Sequence, residues 1–211
     1  HVTDEIQNRI HRLAELSKAD VIITEIGGTT GDIEGLPFLE AIREFALDVG
    51  YNNAVFMHVT YVPFIKAAGE LKTKPTQQSV AKLREIGIAP DILLCRSDRP
   101  LSTDLRRKIA LFCNVQENAV VSALDVPTIY EVPLAFHEQG LDDLLVSDLN
   151  LNERFPSADL KRWRELVSTI KDPTGGSVRI AIVGKYVELE DSYKSLREAL
   201  THAGVANNLR V

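Results

Sequence analysis

Apolar residues recur along the chain with two alternating periods, one helical and one extended. Residues 4–17 carry apolar side chains at helical spacing, and the apolar run that follows at residues 21–26 has the pattern of a strand. The further predicted elements are strands at residues 54–62, 92–95 and 119–123, and helices at residues 39–49, at residues 75–86 and around Ile109. Strands that alternate with helices are typical of an α/β fold with a mostly parallel sheet and flanking helices.

The ends of these helices carry ordinary boundary residues. Pro75 stands where the first turn of a helix tolerates proline, and Gly50 and Gly87 follow the last apolar positions of their helices. Thr103 or Asp104 is predicted to cap the helix around Ile109. These signals support the strand–helix order that the periodicity indicates.

Beyond residue 140 the pattern changes. Residues 140–176 contain no clear strand, and they carry one predicted helix at residues 158–170 around Trp163. An apolar strand is then predicted at residues 178–183, followed by a helix at residues 192–203. We interpret this part as a linker with its own helix, followed by the start of a second α/β domain.

The composition narrows the possible functions. The 211 residues are 45% hydrophobic and 26% charged, as in an ordinary globular protein. The net charge of -6 argues against a general nucleic-acid or membrane binder, so neither partner is expected. Cys95 and Cys113 stand in apolar surroundings, which indicates buried thiols in a reducing compartment and a cytoplasmic protein. Because the chain opens with His1 and contains a single Met, Met57, we expect a piece of a longer product.

The first candidate site is a glycine-rich loop with acids on either side. Ligands of a parallel sheet bind beyond the carboxyl ends of its strands, and Glu25 is expected at such an end. Asp32 and Glu34 follow after the glycines. Carboxylate oxygens suit Mg²⁺ held together with nucleotide phosphates, although a surface loop with solvated acids explains the same spacing equally well.

The second candidate site precedes the helix at residues 75–86. Lys72 and Lys74 stand directly before the expected helix start, where free N–H groups and partial positive charge favour an anion such as phosphate. A solvated turn in which Thr73 and Thr76 only cap the helix is the alternative.

Two weaker candidates follow the later strands. Lys108 stands one helical turn before Phe112, so a cation and an aromatic ring share a helix face. An exposed lysine beside a core aromatic residue is the commoner meaning of that pattern. Residues 122–127 follow the last strand and have the position to contact an adenine through backbone groups, and residues 96–99 follow the strand before it.

Other kinds of chemistry find no support in the sequence. No complete Gly-x-x-x-x-Gly-Lys-Ser/Thr phosphate loop occurs. Neither cysteine lies on a nucleophile turn beside a histidine, and the five histidines form no metal-ligand spacing. The candidate chemistry therefore rests on the lysines and carboxylates.

Three motifs together resemble the CTP synthase family. They are Glu25-Ile26-Gly27-Gly28-Thr29 with Gly31-Asp32-Ile33-Glu34, then Lys72-Thr73-Lys74-Pro75-Thr76-Gln77, then Cys95-Arg96-Ser97-Asp98-Arg99. The resemblance implies an amidoligase domain of the P-loop-NTPase and dethiobiotin-synthetase type at residues 1–151, an interdomain linker at 152–177 and the start of a class I glutaminase domain at 178–211. It implies ATP-dependent amination of UTP to CTP with ammonia from glutamine, with feedback inhibition by CTP, Mg²⁺ as cofactor and a homotetramer that can form filaments.

The resemblance also implies roles for individual residues. Glu25 matches a magnesium ligand. The residues matched to UTP and CTP binding are Lys72, Thr73, Lys74, Pro75, Thr76, Gln77 and Lys108, with Asp32, Ile33, Glu34 and Phe112 on the cytosine side of CTP. The residues matched to ATP binding are Leu124, Asp125 and Val126. The main catalytic residues, namely the phosphate loop and the glutaminase triad, are expected outside this chain, so the chain alone is expected to be inactive. A related ligase of the same fold and a nucleotide-sensing or assembly module without catalysis are the alternatives.

Overall fold

The computed structural model of the chain describes residues 1–155 and 157–211 in two compact units. The first unit comprises residues 1–126 together with 136–156, and the second comprises residues 127–135 together with 157–211. Pro156, inside the expected linker, lies outside the described residues. In chain order the helices and strands are α1 (Val2–Ser17), α2 (Leu36–Val49), β1 (Met57–Tyr61), β2 (Phe64–Ile65), β3 (Glu70–Leu71), α3 (Lys74–Glu85), β4 (Ile92–Ser97), α4 (Thr103–Cys113), β5 (Val120–Leu124), α5 (Val132–His137), α6 (Leu141–Asp148), α7 (Lys161–Lys171) and α8 (Lys194–Asn207).

A parallel sheet forms the centre of the first unit. Its strand order is β1-β4-β5, with Met57 opposite Ile92 at the start of one pair and Leu93 opposite Val120 at the start of the other. Helices α3 and α4 connect these strands, as a parallel sheet requires. The expected α/β fold, with a parallel sheet and flanking helices, is confirmed. Because the strands are parallel, the residues after Tyr61, Ser97 and Leu124 meet at one edge, which we call the carboxyl edge.

Strand β4 is buried on both of its faces, which is why its sequence is an unbroken apolar run. Leu93 and Cys95 are buried in a cluster that includes Val80 of α3 and Ile109 of α4. The other two apolar residues of β4 are buried in a separate cluster with Leu141 of α6. Each buried Leu or Ile side chain contributes about 1.5–3 kcal/mol to the stability of the folded state. Because both faces of β4 are covered, the strand is apolar on both faces.

Two expected strands are absent. Residues 21–26 and 178–183 are not strands among the described residues, and Ile23 is 90% exposed. The apolar pattern predicts where a strand is possible, but a strand forms only when a neighbour accepts its backbone hydrogen bonds. In the second unit the described pairing is limited to a single bridge between Ser177 and Arg210.

The start of α4 differs from the expectation. Ser102, rather than Thr103 or Asp104, is the capping residue, and its hydroxyl accepts a hydrogen bond from the Leu105 backbone N–H at 3.3 Å. Thr103 is already the first residue of the helix. The sequence leaves the choice open because three successive residues can all act as caps.

Helices α5 and α6 are not anticipated by the sequence analysis. They contain only 6 and 8 residues, which is too short for a clear helical period. Leu141 of α6 is nevertheless buried against the sheet. Tertiary packing therefore stabilises α6.

The second unit contains α7, α8 and the segment 127–135. Trp163 of α7 donates a hydrogen bond of 2.6 Å from its ring nitrogen to the carbonyl oxygen of Tyr130. The Tyr130 hydroxyl lies 2.7 Å from Glu198 and 2.6 Å from Nε2 of His202. Because a carboxylate only accepts, the hydroxyl donates to Glu198 and His202 donates to the hydroxyl oxygen. The hydrogen bond to Glu198 also raises the pKa of Tyr130.

Among the described residues, no helix combines the length and the apolar character that a bilayer span requires.

Candidate functional site

A short hairpin after β1 positions the first cation of the candidate site. Strands β2 and β3 pair antiparallel, with Phe64 opposite Leu71 and Ile65 opposite Glu70. Leu71 is buried in the core, and alternate strand residues point to opposite faces, so Glu70 and Lys72 project together away from the core. The Lys72 backbone N–H is held by the carbonyl oxygen of Pro63 at 2.9 Å.

Glu70 contacts one of the expected phosphate-binding lysines and feels the charge of another. Lys72 Nζ donates a hydrogen bond to Glu70 Oε1. This hydrogen bond is the main reason why the pKa of Glu70 is lowered, and the charges of Lys72 and Lys108 lower it further. Lys72 therefore contacts this carboxylate directly, and Lys108, 36 positions further along the sequence, lies within range for its charge to act on it.

The start of α3 supplies further positive potential. Lys74 is its first residue and is exposed, and no side chain caps the first turn, where Thr73 is the N-cap. The backbone N–H groups of a helix's first turn have no partner within the helix, and Pro75 has none to offer. The N–H groups and the lysines beside them make this turn attractive to an anion.

The polar residues in this turn divide into two groups by direction. Thr76 is fully buried, and its hydroxyl lies 3.1 Å from both the Tyr61 carbonyl oxygen and Thr60 Oγ1. Thr73 is buried, and its hydroxyl accepts a hydrogen bond of 3.1 Å from the Gln77 side chain. Thr76 therefore fixes the start of α3 to β1 and Thr73 closes the first turn of the helix, while Lys74 faces solvent.

The ends of β4 and β5 are joined by an ion pair. Arg96 Nη2 lies 2.5 Å from Asp125 Oδ1, and Arg96 Nη1 donates to the Ala123 carbonyl oxygen at 3.4 Å. This contact connects the segment at residues 96–99 with one of the three residues expected near adenine. Leu124, at the last position of β5, is partly buried, as is Val126.

Arg99 adds a third contact at the carboxyl edge. Its guanidinium carbon lies 3.3 Å from the centre of the Phe64 ring in the hairpin, and its Nε lies 3.1 Å from Asp98 Oδ1. The hydrogen bond from Arg99 is the main reason why the pKa of Asp98 is lowered. The hairpin after β1 and the loop after β4 are thereby held at the same edge.

The acidic loop is exposed and lies beside the other end of α3. Asp32 closes the loop on itself, because its carboxylate accepts the Thr29 backbone N–H at 3.1 Å. A Cβ atom added to Gly31 would lie 3.3 Å from Cγ of Lys82, which belongs to the last turn of α3. Ile33 is 82% exposed, and Glu34 is also exposed. The structure therefore does not place Asp32, Ile33 and Glu34 with the lysines at the opposite end of α3.

Glu25 is the expected magnesium ligand and is exposed at the start of this loop. No group of three or more His, Cys, Asp or Glu residues that could hold a metal occurs among the described residues. Mg²⁺ commonly takes one or two protein carboxylates and completes its shell with phosphates and water. An exposed carboxylate with hard oxygen donors suits such a partial site.

Helix α4 presents the remaining two predicted residues on its outer face. Lys108 is exposed and Phe112 is 58% exposed, one helical turn further along. Ile109, between them in sequence, is fully buried. Phe112 is therefore not a core residue, which removes the commoner explanation for the spacing of these two residues.

The cysteines behave as buried structural thiols, as expected. Cys95 and Cys113 are both fully buried. Burial raises the pKa of Cys95 to about 11, and it also raises the pKa of Cys113. Both thiols are therefore neutral at physiological pH and poor nucleophiles.

A cavity of about 650 Å³ lies at the opposite, amino-terminal edge of the sheet. Asp91 and Asp148 are among its described lining residues, which include no Lys or Arg. Burial is the main cause of a raised pKa at Asp91, and the charge of Asp148 raises it further. This cavity is electrostatically unsuited to a polyphosphate, unlike the carboxyl edge.

Glu70 is the site residue that the sequence analysis missed. Its signal is the alternation Glu70-Leu71-Lys72, in which a buried apolar residue separates two charges on one strand face. The proximity of Lys108 has no local signal, because it depends on how α4 folds back onto the sheet.

A parallel sheet with helices on both faces and cations gathered at its carboxyl edge is typical of α/β proteins that bind phosphate-bearing ligands. Comparison with known proteins identifies the family. A model of the CTP synthase N-terminus matches residues 1–151. The CTP synthase of Geobacter metallireducens is 58% identical over 211 residues, which is 100% of this chain and 38% of that protein. The CTP synthase of Dehalococcoides mccartyi is 58% identical over 207 residues, which is 98% of this chain and 38% of that protein. The chain belongs to the CTP synthase family, and it spans about two-fifths of the length of these relatives.

Proposed function

We propose that the protein to which this chain belongs aminates UTP to CTP, using ATP and ammonia released from glutamine. The pair Lys72 and Lys74 at the start of α3, with the charge of Lys108 reaching Glu70 beside them, is the observation that carries this proposal. A triphosphate concentrates negative charge, and lysines beside an uncapped helix start provide the complementary potential. The names of the relatives, all CTP synthases, support the same activity.

The individual roles proposed are those that the family resemblance implies. Lys72, Lys74 and Lys108 bind the phosphates of UTP, and of CTP as inhibitor, while Thr73, Pro75, Thr76 and Gln77 shape the turn that holds them. Phe112 and the loop residues Asp32, Ile33 and Glu34 contact the cytosine side of CTP, and Leu124, Asp125 and Val126 contact the adenine of ATP. Glu25 holds Mg²⁺, which supplies charge neutralisation to the phosphates.

The lysines contribute to the reaction by electrostatic stabilisation. Transfer of a phosphoryl group to the uracil oxygen and its later displacement by ammonia both concentrate negative charge on phosphate oxygens. Fixed cations that face this charge lower its energy without having to reorganise during the reaction. No covalent intermediate with a side chain of this chain is needed.

The wider organisation belongs to the same proposal. Residues 1–151 form the amidoligase domain, residues 152–177 the linker and residues 178–211 the beginning of a glutaminase domain, in a cytoplasmic homotetramer that can assemble into filaments. The position of Asp32, Ile33 and Glu34 at the other end of α3 from Lys72 and Lys74 supports a ligand site completed by a second subunit.

Calorimetric titration of UTP into full-length variants tests the proposal. Lys72→Ala and Lys108→Ala are each expected to weaken UTP binding by about ten- to a hundredfold, since a hydrogen bond to a charged group is worth about 1.5–3 kcal/mol. Lys161→Ala is the control, because Lys161 is an exposed lysine of the second unit, at the first position of α7. Unchanged UTP affinity in both site variants would refute the assignment. UTP binding without CTP formation by the full-length protein would favour the nucleotide-sensing alternative.

A further inference from the structure

The carboxylate of Glu70 is not one of the expected site residues, yet it contacts the proposed phosphate site. It is exposed, it belongs to β3, and it accepts a hydrogen bond from Lys72. Lys108 is close enough for its charge to lower the pKa of the same carboxylate. An acidic side chain thus contacts one cation of the proposed phosphate site and lies within range of the charge of a second.

The hairpin holds Glu70 in this position by backbone geometry. Leu71 is buried in the core, so the strand cannot rotate without exposing it, and the residues on either side of it must point outward together. Behind them, the carbonyl oxygen of Ile65 accepts hydrogen bonds from Ala68 and Gly69 in the connecting turn, at 3.0 and 2.9 Å. The backbone of Glu70 is therefore well fixed.

The side chain of Glu70, by contrast, is held weakly. Lys72 is its one hydrogen-bond partner in the part of the chain that the structure describes, and the exposed fractions are 44% for Lys72 and 59% for Glu70. Exposed ion pairs contribute little because water screens both charges. The carboxylate can therefore leave the lysine at low cost when a stronger anion arrives.

We propose that Glu70 competes with the phosphates of the nucleotide for Lys72 and Lys108, and so sets how tightly the site binds its ligand. The inference rests on the proposed function of these lysines. Without ligand, the carboxylate neutralises part of the lysine charge and keeps Lys72 oriented. With ligand, a triphosphate carries more negative charge than one carboxylate and displaces it, so part of the binding energy is spent in breaking the Glu70–Lys72 pair.

Glu70→Gln tests the competition because it removes the charge and keeps an oxygen that can accept from Lys72. Calorimetry on the full-length protein, with UTP and with inorganic triphosphate as separate probes, is expected to show about two- to fivefold tighter binding of both, as the loss of an exposed competing ion pair allows. The gain should shrink at about 0.5 M salt, because screening weakens the pair that the variant removes. Glu70→Ala is expected to bind at least as tightly as the unmodified protein.

Glu85→Gln is the matched control. Glu85 pairs with Lys82 at 2.8 Å in the last turn of α3 and is similarly exposed, at 65% for Glu85 and 51% for Lys82. This control should leave the affinity for both probes unchanged. An equal gain in the control would mean that net charge alone causes the effect, which would overturn the proposal.

The remaining outcomes separate this inference from the proposed function. Unchanged or weaker binding in Glu70→Gln, with weaker binding in Lys72→Ala, would show that Glu70 only orients the lysine, and the competition would be refuted while the nucleotide site stands. If Lys72→Ala and Lys108→Ala also leave binding unchanged, the nucleotide site itself is refuted.

Discussion

Replacing Thr76 with valine tests whether the start of α3 is held by a buried hydrogen bond or by simple packing. Threonine and valine have nearly the same volume, and both are β-branched, so the change removes the hydroxyl with little effect on shape. That hydroxyl is fully buried and lies 3.1 Å from the carbonyl oxygen of Tyr61 at the end of β1. The variant leaves this carbonyl facing a methyl group.

The burial of the Thr76 hydroxyl determines how much stability each substitution should lose. A hydroxyl supplies one proton, so Thr76 donates to one acceptor, and the loss of a buried donor leaves its partner desolvated at a cost of about 1–3 kcal/mol. Thr76→Ser keeps the hydroxyl and loses one buried methyl group, which costs about 1 kcal/mol. Valine should therefore destabilise the start of α3 more than serine, although valine is the more apolar and the better filler of the space.

Hydrogen exchange measured by mass spectrometry on peptides from β1 and α3 is the appropriate assay. It reports the free energy of local opening, which matters here because the chain forms two compact units and need not unfold in a single step. Peptides from α7 serve as an internal reference. Equal protection in the two variants, or greater protection in Thr76→Val, would refute the role assigned to the hydroxyl.

Two further predictions use the same measurement or its pH dependence. Ser102→Ala should lower the protection of α4 by about 1 kcal/mol, because Ser102 caps the helix, and an equal or larger effect of Thr103→Ala would show that the cap has been misassigned. His58 is hydrogen-bonded to Ser79 at 2.8 Å, and burial lowers its pKa below the ordinary value of 6.5. The unfolded chain therefore takes up this proton first, so the contribution of His58 to stability is fully present above pH 6.5 and falls as the pH is lowered, by at most about 1.4 kcal/mol per pH unit. An NMR titration in which His58 has an ordinary or raised pKa would contradict this, as would an unchanged pH dependence of stability in His58→Gln.

The central sheet could be predicted because burial on two faces leaves a strong local signal. The apolar run of β4 is flanked by helices on both sides, and the sequence records this as consecutive apolar residues. The run at residues 21–26 has the same pattern, but Ile23 projects into solvent and no described strand pairs with it. Apolar periodicity reports a capacity for burial, whereas a strand also needs a hydrogen-bonding neighbour, which the local sequence does not specify.

The candidate site could be predicted only as far as its local chemistry. The lysines before Pro75 are recognisable because cations at a helix start have a defined electrostatic meaning. The ion pair between Arg96 and Asp125 joins residues 29 positions apart, and it depends on the parallel pairing of β4 with β5. Such contacts between distant segments follow from the sheet order rather than from any motif.

The segment between β3 and α3 has two separate roles, although its residues form one contiguous motif. Thr73 and Thr76 face the interior, where the Thr76 hydroxyl bonds to β1 and the Thr73 hydroxyl accepts a hydrogen bond from Gln77 in the first turn of α3. Lys72 and Lys74 face outward, and their charges are available to a ligand. Substitutions of the threonines should therefore change the stability of α3 first and nucleotide affinity only as a consequence. Substitutions of the lysines should change affinity and leave the protection of α3 nearly intact. A string of adjacent residues that resembles a single binding motif thus consists of an internal support and an external binding surface, and the two can be perturbed separately.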